Sequence, residues 1–159
     1  MEKIARFYKV SETEFLKNGT KETFDGIILP KRATKGSAGY DFFAPETFSL
    51  NPKKTIKIAT GIRAKISDGW VLAIFPRSGL GFKYRLTLDN TVGIIDSDYF
   101  NAENEGHIFI KMTNLGDKTL TVEKGKAFAQ GVFLPFGITV DDSCDAERTG
   151  GFGSTDKTF

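Results

Sequence analysis

Short apolar stretches, cut by glycine, proline and Asx residues, run the length of the chain. From Lys3 to Val10 the order Ile-Ala-Arg-Phe-Tyr-Lys-Val reads as an edge or terminal strand. Ser11-Glu12-Thr13-Glu14 resembles a capping box, so Glu12 to Lys17 is expected as one short helix ended by Asn18-Gly19. Ile27 to Pro30 is a further short strand, and Lys31 to Ser37 a basic loop. Strands are then expected over Tyr40 to Phe43 and Thr47 to Leu50, closed by Asn51-Pro52. Thr55 to Ile66 alternates in part, through Ile56, Ile58, Ile62, Ala64 and Ile66, as a half-buried strand does. Asp68-Gly69 turns the chain into a strand over Trp70 to Phe75. Further runs are Tyr84 to Leu88, Val92 to Ile95, His107 to Thr113, Thr119 to Val122 and Ala127 to Phe136. Turn signals recur about every ten residues with no long helical period, which predicts an all-β jelly roll, sandwich or barrel. Asp141 to Phe159 is Gly-rich and poor in aliphatic residues, so it reads as a flexible tail. The division expected is one β domain over 1–140 and an arm over 141–159.

Composition narrows this little but excludes a good deal. The chain has 159 residues, the size of one domain with a proper core. A net charge of +2 gives no electrostatic case for a nucleic-acid partner. One cysteine, Cys144, excludes an intrachain disulfide and fits a reducing compartment, and one histidine makes a zinc site improbable. No apolar run approaches a membrane span and the first residues do not form a signal peptide, so a cytoplasmic setting is expected.

The stretch Leu88-Asp89-Asn90-Thr91-Val92-Gly93-Ile94-Ile95-Asp96-Ser97-Asp98-Tyr99 carries the most chemistry. A short apolar strand ends abruptly on Asp96. A carboxylate there is partly desolvated and its basicity can rise, as a general base requires. Tyr99 is placed to floor a small pocket beside it. The alternative is that Asp96 and Asp98 only terminate a strand through side-chain bonds to backbone. Four other stretches hold residues that a fold alone does not demand. These are Ala38 to Ala44, Pro76 to Lys83, Lys124 to Gly131 and Arg148 to Thr155. Arg77, Ser78 and Gly79 offer charge, a hydroxyl donor and exposed backbone N–H groups, which suit a phosphate chain. Simple hairpin turns would also explain the Gly-containing pairs, and no Walker loop is present.

In order and spacing, the five stretches resemble the five motifs of the trimeric dUTP diphosphatases (dUTPases). The resemblance covers about Ala38 to Thr155 and implies a jelly-roll subunit, a homotrimer with shared active sites, and Mg²⁺. It implies cleavage of dUTP to dUMP and pyrophosphate, which limits uracil in DNA and supplies dUMP for thymidylate synthesis. Asp96 matches the general base that activates water for attack on the α-phosphorus. Asn90 and the backbone after it, Gly93 included, match the hairpin that reads uracil. Tyr99 matches the aromatic beneath the deoxyribose that leaves no room for a 2′-hydroxyl. Arg77, Ser78, Gly79 and Gln130 match phosphate contacts, and Asp41 an acidic residue near the metal's water shell. Arg148, Phe152, Gly153, Ser154 and Thr155 match a tail that closes over the nucleotide.

Departures from the family pattern are specific. After Tyr99 the chain carries Phe100-Asn101-Ala102-Glu103-Asn104-Glu105, several residues beyond the usual Tyr-x-Gly. Glu103 and Glu105 read as solvated loop charges or as residues that alter metal or subunit contacts. Ala127 stands where many members have arginine. The last motif is one residue short between Arg148 and Phe152, and Asp156 replaces a frequent glycine. His107, next to Gly106, is expected at a strand position without a catalytic role. Two alternative functions share the scaffold. A deoxycytidine triphosphate deaminase would keep a glutamate where this chain has Lys111, and a phage-type member would add a regulatory binding role.

Overall fold

A computed structural model describes residues 1–146, 148 and 150. Its strands are β1 (Ala5–Lys9), β2 (Lys31–Arg32), β3 (Tyr40–Phe43), β4 (Phe48–Leu50), β5 (Thr55–Ala59), β6 (Ile62–Ile66), β7 (Trp70–Pro76), β8 (Leu86–Leu88), β9 (Gly93–Ile95), β10 (Phe109–Asn114), β11 (Leu120–Val122) and β12 (Ala127–Pro135). Short helices α1 (Glu12–Phe15), α2 (Lys21–Asp25) and α3 (Ser78–Tyr84) and a 3₁₀ turn over Ser97–Asn101 interrupt them. The strands form sheets ordered β2-β3-β12-β7-β9, β5-β10-β8, β1-β6 and β4-β11, in an all-β, jelly-roll-like arrangement. Every pairing is antiparallel. The core between the sheets takes alternate residues of strands such as β6 and β10, whereas β7 buries Leu72, Ala73 and Ile74 in succession. Leu72 and Ile74 come from β7, Ile110 and Met112 from β10, and Phe42 and Phe128 complete it.

Most expected strands are present, and the departures have local causes. The run from Thr55 to Ile66 is two strands. Gly61 breaks it in a left-handed conformation (φ 69°), and the Thr60 hydroxyl donates to the Ile108 carbonyl at 2.6 Å. Ile27 to Pro30 is not a strand, and Ile28 and Leu29 are exposed. The N-terminal region holds two helices, not one. Ser11 caps α1 by accepting from the Glu14 N–H, and Thr20 caps α2 by accepting from the Thr23 N–H. Helix α3 replaces the expected loop after Arg77 and absorbs Tyr84. His107 is fully buried but precedes β10.

The pairings that matter for function run through β7. On one side Gln130 of β12 sits opposite Phe75 of β7 and, on its other edge, opposite Asp41 of β3. On the other side Ile74 faces Gly93 and Leu72 faces Ile95. One sheet therefore carries parts of four of the five stretches.

Candidate active site

Strands β8 and β9 form a hairpin whose arms join different sheets, β8 with β10 and β9 with β7. The tip is tight: Thr91 has φ 65°, and its N–H donates to the Leu88 carbonyl at 3.0 Å. Because the arms diverge, a cavity of about 490 Å³ opens between them. Leu88, Asp89, Asn90, Gly93 and Ile95 of the hairpin line it, with Ile74, Lys57, Phe109, Ile110 and Lys111 opposite. Gly93 is placed where bulk is costly, since a Cβ there would lie 3.1 Å from the Ile74 Cβ. Asp89 is fixed by the Thr113 hydroxyl at 2.5 Å and by Lys111 at 3.3 Å. An apolar slot with backbone N–H and C=O groups at its rim suits a flat heterocycle with a polar edge. Asn90 and Gly93 are where the sequence put them. Lys57, Phe109 and Ile74 were not legible, because they come from strands distant in sequence.

Asp96 follows Ile95 at the end of β9, about 10 Å along the strand from Gly93. Its side chain is 46% exposed and accepts from the Arg148 guanidinium at 2.9 Å. Arg148 Nε lies 3.3 Å from Asp98, and its guanidinium carbon stands 5.6 Å from the centre of the Tyr99 ring. Arg148 and Asp96 of the same chain are thus in contact. Tyr99 is buried. Its hydroxyl donates to the His107 carbonyl at 2.7 Å and accepts from the Asn104 amide at 2.8 Å. Burial pushes the phenol pKa up, against the opposing effects of the Asn104 bond and the Arg148 charge, so the hydroxyl remains a donor. His107 is a structural residue: its Nε2 accepts from the Gly61 N–H at 2.9 Å, which leaves the proton on Nδ1, facing Glu14 at 3.6 Å.

A second cluster forms at the other end of β7. Arg77 pairs with Asp41 at 3.3 Å, Gln130 donates to the Pro76 carbonyl at 3.3 Å, and Ser78 and Gly79 open α3 beside them. A Cβ on Gly39 would lie 2.7 Å from Gln130 Oε1, so that neighbour is close-packed too. Ile95 is opposite Leu72, so Asp96 leaves the sheet beside Val71, six positions before Arg77. Within one chain the two clusters are therefore separated by about 20 Å of strand. Phe152, Gly153, Ser154 and Thr155 lie outside the described residues.

The expected charge loop needs one correction. Glu105 is not a solvated charge, because its carboxylate accepts from both the N–H and the hydroxyl of Ser11, at 2.7 and 2.6 Å. Among the described residues, no group of three or more His, Cys, Asp or Glu side chains could hold a metal ion.

The dUTPase family model matches residues 25–156, most of the chain. A deoxyuridine 5′-triphosphate nucleotidohydrolase of Lactococcus lactis is 47% identical over 139 residues, 86% of this chain and 93% of that protein. The chain belongs to the dUTPase family. The dUTPase of Streptococcus mutans has a crystal structure similar to it, with a TM-score of 0.66 and 38% identity over 84% of this chain and 97% of that one. A variant of the dUTPase from phage phi11 of S. aureus, whose structure details the coordination of a structural Mg(II) ion, has a TM-score of 0.66. At 21% identity over 91% of this chain and 98% of that one, it shares the fold. Membership gives the two clusters on β7 a common context.

Proposed function

We propose that the chain hydrolyses dUTP to dUMP and pyrophosphate, with Asp96 as the general base. The observation that carries this reading is the diverging β8–β9 hairpin, with a cavity lined by both Gly93 and Ile95 and Asp96 directly after it in the chain. Uracil enters the cavity with its polar edge against the Asn90–Gly93 backbone. Cytosine reverses that edge's donor and acceptor pattern and leaves buried groups unpaired, a penalty of about 1–3 kcal/mol for each. Tyr99 lies between base and phosphate, beneath the deoxyribose. Asp96 takes a proton from a water that attacks the α-phosphorus, the bond to the bridging oxygen breaks, and pyrophosphate leaves.

Arg77, Ser78, Gly79 and Gln130 hold the phosphates. The separation of this group from Asp96 supports a homotrimer with shared sites, in which one subunit supplies base and sugar contacts and another the phosphate contacts. The apolar strip Leu134, Phe136, Ile138 and Val140, exposed where β12 runs out, supports burial against a neighbour. The arm from Asp141, with Arg148, Phe152, Gly153, Ser154 and Thr155, then closes over the nucleotide and excludes water.

Mg²⁺ fits the residues present as a substrate-borne ion. Asp41 is a single, largely covered carboxylate beside Arg77, able to receive water ligands but not to form a cage. When bound, the ion neutralises phosphate charge. A cytoplasmic setting accords with a single exposed free cysteine, and no helix among the described residues is long and apolar enough to cross a membrane.

The test is incubation with dUTP, dCTP and UTP, with pyrophosphate and ammonia measured in each. Pyrophosphate from dUTP alone is expected. Ammonia from dCTP would replace this reading with deamination, a chemistry for which Lys111, paired with Asp89, offers no carboxylate.

A further inference from the structure

The residues between Tyr99 and Gly106 form a clamp tied down at both ends. At the first end Arg63 donates to the Phe100 carbonyl at 2.6 Å, and its guanidinium carbon lies 3.6 Å from the centre of the Phe100 ring. At the other end Glu105 takes both the N–H and the hydroxyl of Ser11. Between the anchors the chain turns back on Tyr99 itself. Glu105 and Gly106 both have positive φ, 59° and 70°. A Cβ on Gly106 would lie 2.6 Å from the Tyr99 carbonyl oxygen, so only glycine permits this approach.

Asn104 is the part of the loop that reaches the ring. Its Oδ1 accepts from the Gly106 N–H at 3.2 Å, which folds the turn, and its Nδ2 donates to the Tyr99 hydroxyl at 2.8 Å. The phenol in turn donates to the His107 carbonyl at 2.7 Å. The far end of the ring is thus held by a partly buried donor and a buried acceptor. A ring pinned at its hydroxyl cannot sink away from whatever lies on its face.

We propose that the Phe100–Glu105 loop is a positioning device for Tyr99, and that Asn104, through its bond to the phenol, helps set discrimination against a ribose 2′-hydroxyl. This rests on the reading that Tyr99 packs beneath the sugar. Discrimination by packing depends on tenths of an ångström, because the ring must be high enough to exclude one oxygen atom yet admit a hydrogen. Asn104 touches no substrate and acts only through Tyr99.

Asn104→Asp separates this role from folding of the loop. Aspartate keeps the acceptor for Gly106 N–H and the side-chain size but cannot donate to the phenol. The measurement is the ratio of kcat/KM for dUTP to that for UTP, both substrates read on the same preparation of the full chain, so that any loss of folded enzyme cancels. Asn104→Asp and Tyr99→Phe are each expected to lower the ratio roughly 3- to 10-fold, the usual weight of one hydrogen bond. The double variant should fall no further than Tyr99→Phe alone, since Asn104 then has no phenol to hold. A wild-type ratio in Asn104→Asp, or an equal further drop on the Tyr99→Phe background, overturns the proposal. If Asn104→Asp does not fold, Tyr99→Phe decides alone, and an unchanged ratio there refutes hydroxyl anchoring. Tyr99→Ala isolates the underlying reading. A relaxed ratio in Tyr99→Ala with none in Asn104→Asp removes only the loop's role. An unchanged ratio in Tyr99→Ala removes the sugar-packing reading and the inference with it.

Discussion

Asp96→Asn removes a charge without adding volume, and the structure bounds its two costs separately. The folding cost is limited to the contact with Arg148. At 46% exposure, an ion pair of this kind contributes at most about 1 kcal/mol. Arg148 also retains Asp98 at 3.3 Å. In a chain of 159 residues the melting temperature should drop by less than about 4 °C. The chemical cost is larger, because the water loses its proton acceptor. Removal of a general base costs about 10²- to 10⁴-fold in rate, or about 2.7–5.4 kcal/mol at 1.36 kcal/mol per decade. Pyrophosphate release at saturating dUTP gives kcat, and calorimetric titration with a non-hydrolysable imido analogue gives affinity. Turnover should collapse while analogue affinity changes by less than a few-fold. If affinity falls by the same factor as turnover, or the melting temperature drops by tens of degrees, Asp96 is a structural residue and the assignment is wrong.

Three further outcomes follow from particular contacts. Burial holds the His107 pKa below its ordinary 6.5, against the opposing effect of Glu14 and Glu105 and with some help from Lys57. The unfolded chain therefore binds this proton first, so stability should fall as pH drops below about 6.5, by at most about 1.4 kcal/mol per unit for this group. Chemical denaturation between pH 5 and 8 should show that slope in the wild type and a flatter one in His107→Gln. Gly116→Ala would put a Cβ 2.4 Å from the Tyr84 carbonyl oxygen, so a loss of about 1–3 kcal/mol in unfolding free energy is expected. Ending the chain after Ala146 should leave a folded assembly with little turnover. Co-refolding it with Asp96→Asn restores activity if the arm serves a neighbour, and leaves the mixture inactive if Arg148 serves the Asp96 of its own chain.

Strand positions were legible where an apolar run was bounded by turn residues, as in Trp70 to Phe75, or where apolar and polar residues alternated, as in Phe109 to Thr113. The pattern failed where local geometry outweighed it. Helix α3 contains Gly79 and Gly81, poor helix formers, so nothing in its composition separates it from a turn. Thr55 to Ile66 kept its parity across a break that only Gly61 marks. In the site, the short motifs pointed to Asp96 and Arg77, which sit just past the ends of β9 and β7, where packing does not dictate residue type. Gln130, by contrast, lies inside β12 between Asp41 and Phe75 and was singled out through its motif alone. The cavity was not legible, since its far wall is assembled from β5, β7 and β10 by tertiary pairing. Asn104 could have been flagged by one signal: Asn-Glu-Gly is a turn that needs positive φ, directly before a buried histidine.

Strand β7 acts as a ruler, and the length it sets can be tested as a fraction. If base and phosphate contacts of one site come from different subunits, Asp96→Asn and Arg77→Ala damage different parts of each site. In a cyclic trimer assembled at random from equal amounts of the two variants, half of all subunits keep Asp96 and the other half keep Arg77. A site formed between neighbours then has both residues intact with a chance of one half times one half, so about a quarter of wild-type activity should return. If both residues serve the same nucleotide within one subunit, every subunit carries one lesion and no site is whole. The two cases differ by the full recovered signal, which does not depend on how strongly either variant is impaired provided each alone is nearly inactive. Mixing the preassembled variants without refolding is the control and should stay inactive. Recovery near a quarter after co-refolding supports division of the site across subunits. A mixture that is trimeric by light scattering yet remains at the parents' level would mean that the roughly 20 Å between Asp96 and Arg77 along β7 is bridged within a single chain.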